Sequence, residues 1–362
     1  MSISLQEMLG TEYLTATATN PRLGVPQVWP EGFFTISQPL SGDTAEFDQV
    51  PNTRRVAPGV NRGSPSRRLD NEAVRTKQIK CITSFTHKDI PEEIILAAKS
   101  GDGTRAARAR MWIDVQVVEA RRRHNNLRVS SISSLLRHGI IYLDSTGNIL
   151  PNSTSAYQTI DENVPANNKD QLNGIIAATW PTDGTDILGH LADLQVEAVK
   201  ISGYPLDFAS FGQLVPEYLR SNTSVGQLMQ SNQMLTGDLM MNRIPKGFGL
   251  EGLTWRPLYT SYFVDADGTD REWFGGDFVV FYPTPTSDWY TMFEGTYQIP
   301  SEAVAVKAPN VGSLVGGTAT GTGFSSWALE LQDPPGWRLY FKDCFLPALK
   351  VPDAVFIADV AF

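Results

Sequence analysis

The sequence predicts an α+β fold, with helices segregated from antiparallel strands. Three observations carry that prediction. The stretch from Thr104 to His138 lacks both Gly and Pro and keeps a helical apolar spacing. From Gly252 onward, aromatic and polar residues alternate around tight-turn signals such as Asp267-Gly268. Between residues 20 and 88 neither pattern is sustained, and a proline-rich, then arginine-rich extended segment stands in their place.

At 362 residues the chain is long enough for one large core or two sub-domains. The two cysteines, Cys81 and Cys344, form no disulfide framework and no zinc-ligand spacing. Such thiols fit a reducing cytosol, where they pack as small apolar residues. The first residues lack a basic start and an apolar signal core, and no run approaches the ~18 apolar residues of a membrane span. A soluble, intracellular protein without disulfides is expected.

Taken in order, residues 1–49 read as an N-terminal arm. Pro21, Pro26, Pro30 and Pro39 prevent helix, while Trp29, Phe33, Phe34 and Phe47 are more aromatic than a disordered leader would be. The arm is expected to lie extended on another surface. Residues 50–88 read as an extended β-ribbon loop. RRVAPGVNRGSPSRRL (residues 54–69) is its turn-rich centre, and VRTKQIKCITSF (residues 74–85) alternates as one of its legs. Its cations are Arg54, Arg55, Arg62, Arg67, Arg68, Arg75, Lys77 and Lys80, opposed locally by Asp70 and Glu72. A two-stranded ribbon is marginal alone in water and gains stability by lying on something else.

The helix at about 104–138 follows. Ala106, Ala109, Ile113, Val117, Ala120 and Leu127 share one side, Asp102 supplies a start and Gly139 a stop. Its length predicts a span of roughly 50 Å along one side of a sheet, with bends expected at Asn125-Asn126 or Ser130–Ser134. Ile140 to Leu150 turns β-like, with Thr146-Gly147-Asn148 as a hairpin signal. Thr185 to Gly203 is an amphipathic helix, and shorter helices are expected at residues 208–219 and 225–234. The Gly/Thr-rich segment 309–323 predicts a loop, and the closing residues predict apolar strands broken at Pro347 and Pro352.

No catalytic motif emerges. GGTATGTG (residues 316–323) lacks the lysine and the strand–helix setting of a phosphate cradle. Asp265 to Asp270 has its glycine two residues early for a calcium loop, so a tight turn between aromatic strands accounts for it. The four histidines stand apart from one another. No enzyme activity, metal or cofactor is expected. The informative feature is charge segregation: residues 54–128 hold 17 basic and 8 acidic residues in a chain of net charge −9. The ribbon lacks the interleaved aromatics of a nucleic-acid binder. A basic arm seated on the acidic surface of a second copy fits better.

The order of extended arm, charged ribbon, long helix and α+β body ending in strands resembles the major capsid proteins of tailed bacteriophages. More closely it resembles the lambda-type family, major capsid protein E, with the Hong Kong 97 capsid fold. The likeness is carried by Thr146 to Leu150, Tyr262 to Pro283 and Phe345 to Phe362. It implies a peripheral domain at 89–169 around a spine helix, an axial domain at 170–325, and returning strands at 326–362. It also implies self-assembly into pentamers and hexamers of an icosahedral shell, in a virion assembled in the host bacterial cytoplasm. Scaffolding, decoration and portal proteins are the further partners it implies, with packaged DNA held without sequence-specific binding. Lys77, Lys80 and Lys88 lie where a cross-link donor would sit, but the resemblance carries over no cross-linking residue. The competing reading is a tail, baseplate or glycan-binding adhesin component, in which Trp255, Tyr259, Tyr262, Trp273, Trp289 and Tyr290 would stack on sugars.

Overall fold

A computed structural model describes residues 9, 14, 32–34, 36–49, 74–100, 102–150, 153–182, 184–230, 249–250, 252–257, 262–264, 268, 270–272, 276–300, 319–332 and 335–362. Chain order begins with strands β1 (Ser37–Pro39), β2 (Thr44–Gln49), β3 (Arg75–Lys80) and β4 (Ile82–Ile90). Helices α1 (Glu92–Lys99) and α2 (Gly103–His138) follow, then β5 (Ile140–Leu143), β6 (Ile149–Leu150), β7 (Gln158–Asp161) and β8 (Lys169–Asp170). Next come α3 (Ile187–Ser202), β9 (Phe208–Phe211), α4 (Val215–Ser221), α5 (Thr223–Gln230), β10 (Gly249–Leu250) and β11 (Leu253–Pro257). Strands close the chain: β12 (Tyr262–Val264), β13 (Asp270–Glu272), β14 (Phe278–Tyr282), β15 (Tyr290–Glu294) and β16 (Thr296–Ile299). After them stand β17 (Ala319–Thr322), β18 (Phe324–Gln332), β19 (Pro335–Leu349) and β20 (Phe356–Asp359).

The long helix starts and stops where the sequence predicts. The Asp102 side chain accepts from the Thr104 amide at 2.9 Å, and Gly139 closes the helix in the left-handed region at φ 67°. It runs unbroken through Asn125-Asn126 and the serine cluster, where Ser131 bonds back to the Arg128 carbonyl at 2.7 Å and Ile132, Leu135 and Leu136 are held in the core. The first half packs Ile113 and Val117 against α1, β4, β18 and β19, with Leu9 and Leu14 joining this small core. The second half packs Ile132, Leu135 and Leu136 into the main core with Phe33, Trp289, Tyr290 and Leu346.

Two sheets organise the body. In one, β19 is central, antiparallel to β15, β18 and β4, while β1 adds parallel to β15. In the other the order is β10-β11-β9-β14-β20-β8, and α3 lies with Trp180 and Trp255 in its core. Among the described residues no helix is long and apolar enough to cross a membrane, and no His, Cys, Asp or Glu cluster could hold a metal ion.

Several expectations are corrected. The described part of residues 1–49 lies on the chain's own body: Phe33 is fully buried with its ring 4.6 Å from Tyr290, and β1 pairs with β15. The ribbon's legs are β2 and β3, paired antiparallel from Thr44↔Lys80 to Gln49↔Arg75, so one leg precedes residue 50. Past Cys81 the chain leaves the ribbon, and β4 joins the body sheet. Residues 208–211 are strand rather than helix, since their backbone is paired on both sides, with β11 and β14, and Ala209, Ser210 and Phe211 are buried. Residues 319–322 are strand, where Gly321 leaves room for the Tyr297 ring; most of the predicted 309–323 loop lies outside the described residues. Strand β19 passes through Pro347, because at Leu346–Leu349 it has a partner, β15, on one side only.

Candidate assembly interface

The ribbon leaves the body along two legs that are built differently. In β2, Ala45, Phe47 and Gln49 turn inward while Thr44, Glu46 and Asp48 stay exposed, the period-two pattern of a half-buried strand. The Phe47 ring meets Phe293 at 5.4 Å and forms an apolar anchor. Gln49, only 4% exposed, forms a polar one. Its Nε2 shares its hydrogens among the Glu162 carbonyl (3.1 Å), Glu162 Oε2 (2.9 Å) and the Leu349 carbonyl (2.9 Å). Its Oε1 accepts from Asn163 Nδ2 at 3.1 Å. From β3, Lys77 donates to the Asp161 carbonyl and stands 3.7 Å from Glu162 Oε2.

Glu162 is fully buried where the two legs meet. Burial pushes its carboxyl up to about 7, against the pull of the Lys77 ammonium and the Leu349 amide. Burial likewise lowers Lys77, and Glu162 and Asp161 oppose that shift. Among the described residues, Glu162 Oε1 is buried without a hydrogen bond of ordinary geometry.

Behind the ribbon, a buried ion cluster ties the long helix to both strands beneath it. Arg128 donates through Nε and Nη2 to Asp343 at 2.8 and 2.5 Å, and through Nη1 to Glu294 at 3.0 Å. The fork matches the carboxylate in a bidentate way. Asp343 is fully buried and its carboxyl is held below the ordinary range by Arg128, which outweighs burial. The Arg128 guanidinium also lies 5.2 Å over the Phe345 ring, and Arg121 lies 4.6 Å over Phe324. His124, one turn before Arg128, contacts Thr86 Oγ1 at 3.3 Å, and burial lowers its pKa to about 4.

The predicted ribbon cations therefore separate. Arg75 and Lys80 are exposed on β3, Lys80 lying 3.5 Å from the equally exposed Asp43. Lys77 is turned inward and engaged within its own chain. Arg54, Arg55, Arg62, Arg67 and Arg68 lie outside the described residues. Sequence reasoning missed Gln49, Glu162, Arg128, Glu294 and Asp343. The one available signal was Arg128 itself, which lies about three helical turns past Val117 on the buried side of α2 and so had to be paired. Of the six aromatics considered for sugar stacking, Trp255, Trp289 and Tyr290 are fully buried, which removes them from any surface. Tyr259 and Trp273 lie outside the described residues, as does the side chain of Tyr262.

A family model described as "Phage major capsid protein E" matches residues 11–360. No curated protein matches the chain. Among solved structures, a protein assigned to a prophage capsid of E. coli CFT073 shares 16% identity, with a TM-score of 0.58 over 98% of this chain and 99% of that one. A phage-related protein from Bordetella bronchiseptica RB50 shares 11% identity, with a TM-score of 0.48 over 96% of each chain. A chain from Gordonia phage Cozz shares 15% identity, with a TM-score of 0.43 over 93% of this chain and 88% of that one. The first of these likenesses carries the fold, which is of the Hong Kong 97 capsid type.

Proposed function

We propose a shell-building mechanism from one premise: the chain belongs to the phage major capsid protein E family. Its function is that of a coat protein, a structural component of the virion that self-assembles into a shell. The finer reading is that the copies gather as pentamers and hexamers around packaged DNA, with no enzymatic step. The observation that supports it best is the family match over residues 11–360. Residues 1–49 then serve as arm and first ribbon leg, 50–80 as the reach toward a neighbour and second leg, 82–88 as part of the body sheet, 89–169 as peripheral domain, and 170–325 as axial domain. Residues 326–362 return through both domains. Scaffolding, decoration and portal proteins are further proposed partners, assembly is proposed to take place in the bacterial cytoplasm, and DNA is enclosed rather than gripped.

In this reading the ribbon's exposed cations set register more than strength, since exposed ion pairs contribute only about 0–1 kcal/mol each. Sedimentation with negative-stain imaging of the fast fraction tests the function. Closed polyhedral shells or free pentamers and hexamers are expected, whereas a uniform trimer or tube would transfer the chain to a tail role. Replacing Arg54, Arg55, Arg67 and Arg68 together by Glu should leave a folded subunit that no longer closes shells. Normal shells from that variant would remove the ribbon from the interface.

A further inference from the structure

The contacts at the ribbon root fall into two kinds. Ala45 and Phe47 hold β2 to the body by apolar burial that is indifferent to pH. Level with Phe47, where Lys77 stands opposite it, and beyond it at Gln49, the contacts converge on one carboxyl. Gln49 from one leg and Lys77 from the other both reach Glu162, which lies just past β7.

We propose that Glu162, Gln49 and Lys77 form a proton-operated latch: with a proton on Glu162 the far ends of the legs lie docked, and loss of that proton lifts them about the Phe47 anchor. The reason is the state of the two Glu162 oxygens. Ionised, the fully buried carboxylate has Gln49, Lys77 and the Leu349 amide to answer its charge, and burial still outweighs all three. A buried charge whose partners do not offset its desolvation is unfavourable, and admitting water by lifting the legs relieves it. Protonated, the carboxyl is neutral, Gln49 keeps its bond to the Leu349 carbonyl, and Lys77 keeps its bond to the Asp161 carbonyl.

The other charged groups do not replace Glu162 in this role. Arg75 on β3 acts on Lys77 and on Asp353, and Asp161 on β7 acts on both Lys77 and Glu162. From β19 the Leu349 backbone faces the site, its carbonyl accepting from Gln49 and its amide acting on Glu162, and the carbonyl of Gly139, just past α2, accepts the Glu162 amide at 3.0 Å.

The sign follows from linkage. The docked state holds the Glu162 proton with a pKa of about 7 and the lifted state with an ordinary one near 4.5. Docking therefore takes up a proton, is fully favoured below about 4.5, and is lost as pH rises through 7. The latch is read from a single chain; its consequence for a shell, a ribbon whose angle to its neighbour depends on pH, rests on the coat-protein function.

Hydrogen exchange of the unassembled full chain tests it, followed in peptides covering 44–49 and 74–80 and corrected for intrinsic exchange. The opening constant of these legs should rise about fifty-fold between pH 5 and pH 7.5, while α2 stays unchanged. Glu162→Gln, which mimics the neutral acid, should remain closed and flat across that range. Lys77→Met removes the cation that favours ionised Glu162, so the midpoint of the profile should move to higher pH. A flat wild-type profile, a Glu162→Gln profile equal to wild type, or an unmoved midpoint in Lys77→Met would each overturn the latch. A chain that shows the profile and builds no shells would instead count against the coat-protein function.

Discussion

Replacing Arg128 by Met is the most informative single perturbation of the body. Methionine keeps the apolar stem and removes three charge-assisted hydrogen bonds, at 2.8, 2.5 and 3.0 Å. Asp343, fully buried, is left to face the loss. Two routes give its size. Removing one partner of a buried pair costs about 3–5 kcal/mol. Alternatively, Asp343 escapes by protonation, which at pH 7 costs about 4 kcal/mol for an ordinary aspartate. Arg121, whose charge also acts on Asp343, offsets part of this, so about 3 kcal/mol is expected. In urea unfolding of the unassembled chain, the midpoint should fall by about 1 M for a slope near 3 kcal/mol/M. The pH dependence supplies a second check. Because the folded pKa of Asp343 is lowered, its stabilisation exists above its ordinary value and is lost as pH falls through the folded one. In the variant, burial without Arg128 raises the Asp343 carboxyl instead, so the deficit should shrink toward pH 4 as that acid protonates, and the double change Arg128→Met with Asp343→Leu should recover most of it. A deficit below about 1 kcal/mol at pH 7, or one that does not narrow in acid, would refute the claim that this cluster ties the helix to the sheet.

Three further outcomes are expected. Gly139→Ala places a Cβ 2.7 Å from Val164 Cγ2 at φ 67°, so it should cost at least about 1–2 kcal/mol from backbone strain, read as a lower urea midpoint. Val164→Ala beside it should return only the steric part. His124 and Glu162 pull oppositely between pH 7 and 4.5. A depressed histidine loses stability as pH falls, and a raised carboxyl gains it, each by about 2–3 kcal/mol. Wild-type stability should thus be nearly flat over that window, with His124→Gln growing more stable in acid and Glu162→Gln less stable, as followed by urea midpoints at the two pH values. Finally, reversing Arg75 and Lys80, both exposed, should leave the unfolding free energy from urea titration within about 0.5 kcal/mol of wild type and alter only assembly, as measured by sedimentation.

What the sequence disclosed follows the range of the forces involved. Local chemistry was legible: Asp102 and Gly139 bound the long helix, Asp186 and Gly203 bound α3, and Asp144 closes the Thr146 hairpin by accepting from the Thr146 and Asn148 amides at 2.8 Å. Short apolar strands were not, because four residues such as Phe208–Phe211 fit helix and strand periods alike. The first ribbon leg was hidden by prolines around six alternating residues whose partner lies beyond residue 74. The ion cluster was invisible for a similar reason: Arg128 finds Glu294 and Asp343 at separations of 166 and 215 residues, and no local pattern encodes such a pairing.

Those separations also set a timetable for synthesis. The strand at the centre of the first sheet, β19, and the strand that joins β14 to β8, β20, both come late in chain order. At translation speeds of about 5–20 residues per second, Arg128 waits roughly 10–40 s for Asp343, and Glu162 waits comparably for the Leu349 amide. Throughout that interval β2 and β3 have no finished floor to rest on. A growing polypeptide therefore presents no seated ribbon to neighbours leaving the same message, and recruitment into a particle is deferred until the last strands have emerged from the ribosome.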